Sequence, residues 1–247
     1  MNVRPVFIYI LIVFTSCDAT TRISSIENKS QKVQKTEVQT KTELDSFLLP
    51  YRSQLEKKMH DTLAYSSQVL TKKKIESTLG NWVADGMIWY ANEKLNEKAD
   101  LAICNSGGLR TKSLPAGPIL LKHIFELMPF ENELVILDVD SNDFKLILER
   151  IAQKEGWPVS KGFFLLLNEE NKILDWSVNG QRKANYKVIV SDYIATGGDG
   201  MNNLISKPRK SLNFLIRDAL IEYAKNQRNL YSKIEGRIVK EKANADE

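Results

Sequence analysis

Leu44, Phe47, Leu48, Tyr51, Leu55 and Met59 recur at the spacing that gathers side chains on one face of a helix. Pro50 lies inside this run and either kinks the helix or marks its first turn. Leu63 to Val69 reads as a strand. Thr78 is placed to cap a helix running through Leu95, with Leu79, Trp82, Val83, Met87, Tyr90 and Ala91 on one face. A short apolar strand, Leu101 to Cys104, leads directly into Asn105-Ser106-Gly107-Gly108-Leu109-Arg110. A helix from about Leu120 to Leu127 is stopped by Pro129, Leu134 to Val139 is a strand, and Ser141 caps a helix from about Asn142 to Lys154. Phe163 to Leu167, Leu174 to Val178 and Tyr186 to Ser191 alternate as strands do. Asn179-Gly180 signals a hairpin between the second and third, although the basic residues that follow suggest a longer loop. The pattern closes with a helix over Ser211 to Lys225 and an edge strand at Lys233 to Val239. No internal repeat is visible, and the mixture predicts one domain of α/β or α+β class, residues 44–240, followed by a charged tail, 241–247.

The N-terminal pattern differs. Arg4 precedes an apolar run, Val6 to Phe14, that is short for a membrane span, and Thr15-Ser16-Cys17 follows. This resembles a bacterial lipoprotein signal: residues 1–16 are removed and Cys17 carries the lipid. An ordinary secretory signal is the plainer alternative; either way the chain is exported. Residues 17–43 are polar and free of aromatics, and read as a solvated tether holding the domain off the membrane. With Cys17 lipidated, Cys104 is expected to be a buried thiol without a disulfide partner.

Composition excludes more than it selects. Of 247 residues, 43% are hydrophobic and 27% charged, which rules out a wholly disordered chain. A net charge of +4, spread along the chain, argues against a nucleic-acid polymer as partner. The histidines, His60 and His123, are too sparse for a His-rich two-metal centre. Asp138-Val139-Asp140-Ser141-Asn142 with Glu149 imitates a calcium loop, but Asp143 stands where that loop needs glycine, so a strand, a cap and a helix are expected instead. The aromatic cluster Trp82, Trp89 and Tyr90 reads as core, and Lys207-Pro208-Arg209-Lys210 as a solvated loop.

Four loops carry candidate chemistry. The pair Gly107-Gly108 after a buried strand lets backbone N–H groups approach a ligand, and Arg110 offers a planar donor fork for phosphate or ribose oxygens. Phe130, in Met128-Pro129-Phe130-Glu131-Asn132, is either a core plug or a stacking face. Trp157 to Gly162 forms a loop before a strand. In Asp192 to Gly200, glycines around Asp199 build a tight loop that presents a carboxylate, an acceptor for two hydroxyls.

Glu76 to Asn81, Asn105 to Arg110, Pro129 to Asn132 and Ala195 to Gly200 occur in the order and at roughly the spacing of the C-terminal domain of 5′-nucleotidases, and the resemblance covers about Leu44 to Val239. It implies a four-layer α/β/β/α sandwich that recognises a nucleotide or nucleoside while a separate metallophosphoesterase domain holds two metals. By this resemblance Phe130 and Tyr193 sandwich the base, Asn105, Gly107, Gly108 and Arg110 contact the nucleotide, and Asn132 and Gly162 lie at the base pocket. Asp199 meets the ribose, and Gly198 is a substrate-binding residue of the same loop.

The chain departs from the pattern in three places. Tyr193 replaces the usual Phe, and because the ring survives, its hydroxyl is expected to be nearly dispensable. Neither Ile75 nor Asn81 is the arginine common there, and Lys74 is the nearest cation. No Asp-x-His strand and no Asn-His-Glu/Asp run occurs, so no catalytic residue and no metal is assigned to this chain. The expected activity is therefore nucleotide recognition beside a partner metallophosphoesterase chain that carries the divalent metals. The alternative is a non-enzymatic lipoprotein that binds nucleosides for uptake.

Overall fold

The computed structural model describes residues 43–241. The expected signal, the lipidation site Cys17, all of the tether but Glu43, and all of the tail beyond Glu241 lie outside them. Helix α1 (Glu43–Met59) comes first, with Pro50 in its interior. Its predicted apolar face exists but is not core: Phe47 and Tyr51 are 64% and 62% exposed and pack on each other, ring centroids 5.7 Å apart.

The expected strand over Leu63 to Val69 divides into β1 (Thr62–Ser66) and β2 (Leu70–Thr71). Helix α2 (Thr78–Trp89) follows and widens at its end into a π turn over Tyr90–Lys94, where the Leu95 N–H reaches back to Tyr90 O. Its cap is Ser77, not Thr78: the Ser77 hydroxyl accepts the Gly80 N–H at 3.0 Å, while Thr78 Oγ1 accepts the Thr71 N–H at 2.9 Å. Short strands β3 (Leu101–Ala102), β4 (Ser113–Leu114) and β5 (Gly117–Leu120) lead to α3 (Leu121–Leu127). Then come β6 (Glu133–Asp140), α4 (Ser141–Gln153), β7 (Phe163–Leu167), β8 (Ile173–Val178), β9 (Asn185–Ser191) and α5 (Asp192–Ala195). Strand β10 (Arg209–Leu215), α6 (Ile216–Gln227), β11 (Asn229–Leu230) and β12 (Ile238–Lys240) complete the chain.

The organising sheet has the order β10-β6-β9-β3. Because side chains alternate across a strand, β6 sends Val135, Leu137 and Val139 to one face and Leu134 and Ile136 to the other. Strand β9 likewise divides Tyr186, Val188 and Val190 from Ile189. One core gathers α4 and the sheet β12-β7-β8. The second gathers α2, α3, α6 and residues of β1, β5 and β11. The layered α/β class expected from the sequence is thus present.

Five further expectations are corrected. The run Ser211 to Lys225 is not one helix, because its first residues form β10, which pairs with β6 and gives that strand a second neighbour. That pairing takes Arg209 and Lys210 out of the expected solvated loop. The Asn179-Gly180 turn forms, bridged by Val178 and Gln181, but β8 and β9 then diverge into different sheets. The cap of α4 is Asp140, not Ser141: Asp140 Oδ1 accepts the N–H groups of Asn142 at 2.9 Å and Asp143 at 3.0 Å. The final edge strand is shorter than predicted, only β12, parallel to β7.

Candidate functional site

Strand β3, parallel to β9, carries the chain into a 3₁₀ turn over Ser106–Gly108. The Gly108 N–H donates to Asn105 O at 3.0 Å and closes the turn. Lys72, just after β2, clamps this loop from beneath, its ammonium donating to Ser106 O at 2.7 Å and Leu109 O at 2.8 Å. Burial holds the Lys72 pKa below the usual lysine value. The Arg110 N–H donates to Leu127 O at 2.9 Å, tying the glycine loop to the end of α3, where the Phe130 turn begins.

That turn has its own clamp. Arg217, buried on α6, lays its guanidinium 4.3 Å above the Phe125 ring and donates to Pro129 O at 3.4 Å. Asn132 O accepts the Ile216 N–H at 2.9 Å. Phe130, held between these anchors, is 47% exposed, and the Arg110 guanidinium sits 5.4 Å from its ring centroid.

The third loop follows β9. Ser191 caps the short α5 by accepting the Ile194 N–H at 3.2 Å, which projects Tyr193 outward, 45% exposed. Gly197 (φ 96°), Asp199 (φ 52°) and Gly200 (φ 81°) all take positive φ, so the chain turns sharply and lifts Asp199 at the tip. A Cβ on Gly198 would lie 2.5 Å from Tyr193 Cε1, so glycine is what lets the backbone lie against that ring. Arg209 Nη1 donates to Ala195 O at 2.8 Å and Arg150 Nη2 to Gly200 O at 3.2 Å, pinning both ends of the loop. Asp199 joins the loops: its Oδ2 accepts Asn105 Nδ2 at 2.8 Å, and its Oδ1 accepts the Tyr193 hydroxyl at 3.4 Å.

Eight of the ten residues singled out from the sequence line one open cleft of about 370 Å³: Asn105, Gly107, Gly108, Arg110, Phe130, Asn132, Tyr193 and Asp199. That volume is in the range of small-ligand pockets. Gly198 packs beneath the Tyr193 ring rather than lining the cleft. Gly162 is not among the lining residues: it occupies a positive-φ turn whose carbonyl accepts the Asn179 N–H at 2.7 Å, where an added Cβ would lie 2.1 Å from Asn179 Oδ1. Its glycine is explained by that turn.

The Glu76 to Asn81 segment also lies away from the cleft. Glu76 accepts the N–H groups of Glu235, Gly236 and Arg237 at 2.8, 2.9 and 3.0 Å, and Asn81 bridges Glu76 to Lys233 O. Lys74 pairs with Glu155 at the surface. Arg110 is therefore the guanidinium at the cleft, flanked by neutral amides and one carboxylate.

The residues do not fit a metal centre. Among the described residues, no group of three or more His, Cys, Asp or Glu is gathered as a metal would need. Asp140 caps α4, and the Lys207 ammonium pairs with Asp143 and Asp140, so the calcium-like spacing is spent on a helix terminus. The His123 ring accepts the Leu120 N–H at 3.1 Å, opening α3. Cys104 is a buried free thiol whose pKa is pushed up to about 12 by burial, with Lys72 opposing weakly. It is expected to resist iodoacetamide at pH 8 in the native chain and to react readily once unfolded. Comparable rates in the two states would show that the loop above it opens freely.

The matching family model is that of the 5′-nucleotidase C-terminal domain, over residues 58–205. The chain belongs to this family. The 5′-nucleotidase precursor of Thermus thermophilus superposes with a TM-score of 0.69 at 26% identity, over 79% of this chain and 43% of that one. The trifunctional nucleotide phosphoesterase protein YfkN of Bacillus subtilis is 29% identical over 81% of this chain and 15% of its own length. The 5′-nucleotidase of Vibrio vulnificus is 27% identical over 74% and 34%. The chain thus spans less than half the length of each of these relatives. As a 5′-nucleotidase C-terminal domain, it presents its cleft on three separate loops, each latched through backbone carbonyls by a basic side chain.

Proposed function

We propose that this cleft recognises a nucleotide or nucleoside, with the base between Phe130 and Tyr193, the ribose at Asp199 and the 5′-phosphate near Arg110. The observation that carries this reading is a pair of half-exposed aromatic rings lining the same cleft as one guanidinium, one carboxylate and two amides. Two π faces and a few placed donors and acceptors are what a flat, polar-edged base on a sugar requires. Asn132 and Asn105 supply amide donors and acceptors, and Gly107 and Gly108 let the backbone come close.

Hydrolysis belongs, in this reading, to a separate metallophosphoesterase chain that supplies the divalent metals and the nucleophile, while this chain positions the substrate. Family membership supports the recognition half of that division, since the matching model is that of the domain at the C-terminus of 5′-nucleotidases. The Met1 to Cys17 pattern supports export and attachment to the bacterial cell envelope through a lipid on Cys17.

Titrating AMP and adenosine at several salt concentrations tests the recognition. AMP is expected to bind more tightly at low salt and to lose that advantage as salt screens Arg110, whereas adenosine is nearly insensitive. Equal affinities at all salt concentrations would remove the phosphate subsite and favour a nucleoside-uptake protein. Phosphate release from AMP, measured with and without the candidate phosphoesterase, tests the division of labour. Full activity of the purified domain alone would overturn it.

A further inference from the structure

The departure at Tyr193 has structural content. Asp199 stands at the tip of a glycine-bounded loop, in a left-handed conformation (φ 52°, ψ 25°). Hydrogen bonds from two loops orient its carboxylate. Asn105 Nδ2 supplies one at 2.8 Å, from a different loop. The Tyr193 hydroxyl makes two contacts with the same residue: it accepts the Asp199 N–H at 3.1 Å and donates to Asp199 Oδ1 at 3.4 Å. One oxygen thereby bridges the backbone and the side chain of Asp199, restricting rotation between them. A phenylalanine ring would stack equally well and leave both groups to water.

We propose that the Tyr193 hydroxyl is a positioning group that aims Asp199 at a vicinal diol, making this cleft selective for sugars that carry both hydroxyls. The proposal rests on the nucleoside reading above. An ionised carboxylate accepts hydrogen bonds at about four lone-pair sites and donates none. Asn105 and Tyr193 take one on each oxygen, and one on each oxygen remains. Two adjacent hydroxyls supply the two matching donors, and the bonds are charge-assisted. Base and sugar recognition are then coupled in one side chain, whose ring stacks while its hydroxyl holds the acceptor. The expected near-neutrality of Tyr193→Phe is revised accordingly.

The test compares adenosine with 2′,3′-dideoxyadenosine by calorimetry on wild type, Y193F, D199N and the double variant, with thermal melts of each. Wild type is expected to prefer adenosine by at least about 10- to 100-fold, the worth of one hydrogen bond to a charged group. Y193F is expected to lower adenosine affinity about fivefold and dideoxyadenosine affinity less than about twofold, without a large change in melting temperature. In D199N the adenosine preference falls, and adding Y193F then costs little more, because the hydroxyl acts through that carboxylate. An unchanged preference in Y193F overturns the proposal while leaving nucleoside binding intact. Equal losses for both ligands overturn it too, because they mark a merely structural hydroxyl. Failure of wild type to bind either ligand sinks the nucleoside reading and this inference with it.

Discussion

Tyr193→Ala is expected to weaken adenosine binding by about 5- to 150-fold, because stacking of a base on an aromatic side chain is worth roughly 1–3 kcal/mol and each 1.4 kcal/mol is a factor of ten. The upper half of that range is the better expectation, since the same substitution strips Asp199 of two hydrogen bonds. Stability should fall far less. The ring is 45% exposed, so truncating it removes much less buried surface than emptying a core position. Phe144 is the contrast: it is fully buried, stacked 4.2 Å from Tyr186, and Phe144→Ala should cost roughly 3–5 kcal/mol. Phe130→Ala should behave like Tyr193→Ala, with the further loss of the Arg110 contact. Calorimetric titration beside thermal melts separates binding from folding. Wild-type affinity in a folded Tyr193→Ala protein, or a stability loss as large as that of Phe144→Ala, would end the idea of an aromatic clamp.

How legible is this cleft in the sequence? The residues that line it sit in short runs, Asn105 to Arg110, Pro129 to Asn132 and Tyr193 to Asp199, where glycines, an arginine and aromatics fall within a few positions of one another. Such runs are readable because a ligand-facing loop concentrates its chemistry locally. The clamps beneath were invisible for the opposite reason. Lys72, Arg150, Arg209 and Arg217 each bond a backbone carbonyl at least 14 positions away, and a carbonyl belongs to every residue alike. No sequence signal marks the acceptor, so an ordinary surface-like Lys or Arg conceals a structural role. Gly162 shows the converse error: a glycine beside a plausible site was required by its own turn against Asn179.

The fold divides along the same line. Strands β6 and β9 were readable because both faces of the sheet are covered and their apolar runs are nearly continuous. Strand β10 was not, because Ser211 to Leu215 carries apolar residues that also fit the first turn of the following helix. Pairing with β6, at a register interrupted near Asn213 (φ 51°), decides the conformation, and that partner lies over seventy positions upstream. For α1 the periodicity was correct and the burial it normally implies is absent. Periodicity reports which face is apolar, not whether anything covers it.

Gly156→Ala is expected to be the most destabilising single-methyl change near the cleft, costing roughly 3 kcal/mol or more. Gly156 ends the turn after α4 with φ 96°, which a side chain tolerates poorly. Space is the larger obstacle: an added Cβ would lie 2.2 Å from Ile75 O, 2.7 Å from its Cα and 2.8 Å from its carbonyl carbon. Those are backbone atoms, so no rotamer change can relieve the clash. Ile75 itself has φ 65°, costly for a β-branched residue, and is held there by its N–H bond to Glu155 O at 2.6 Å. Pushing the two segments apart strains a residue already off its preferred backbone. The disturbance reaches the cleft, since Gly156 O accepts the Ser106 hydroxyl at 3.1 Å at the start of the glycine loop. Gly180→Ala is the control, because Gly180 also has positive φ but nothing within 4 Å of the built Cβ, so only the backbone strain of about 1 kcal/mol applies. At about 2–4 °C per kcal/mol for a chain of this size, Gly156→Ala should melt ~6–12 °C below wild type and Gly180→Ala only a few degrees below. Equal shifts in the two variants would show that the Ile75 contact yields without cost, and that the turn beneath the glycine loop is softer than its packing implies.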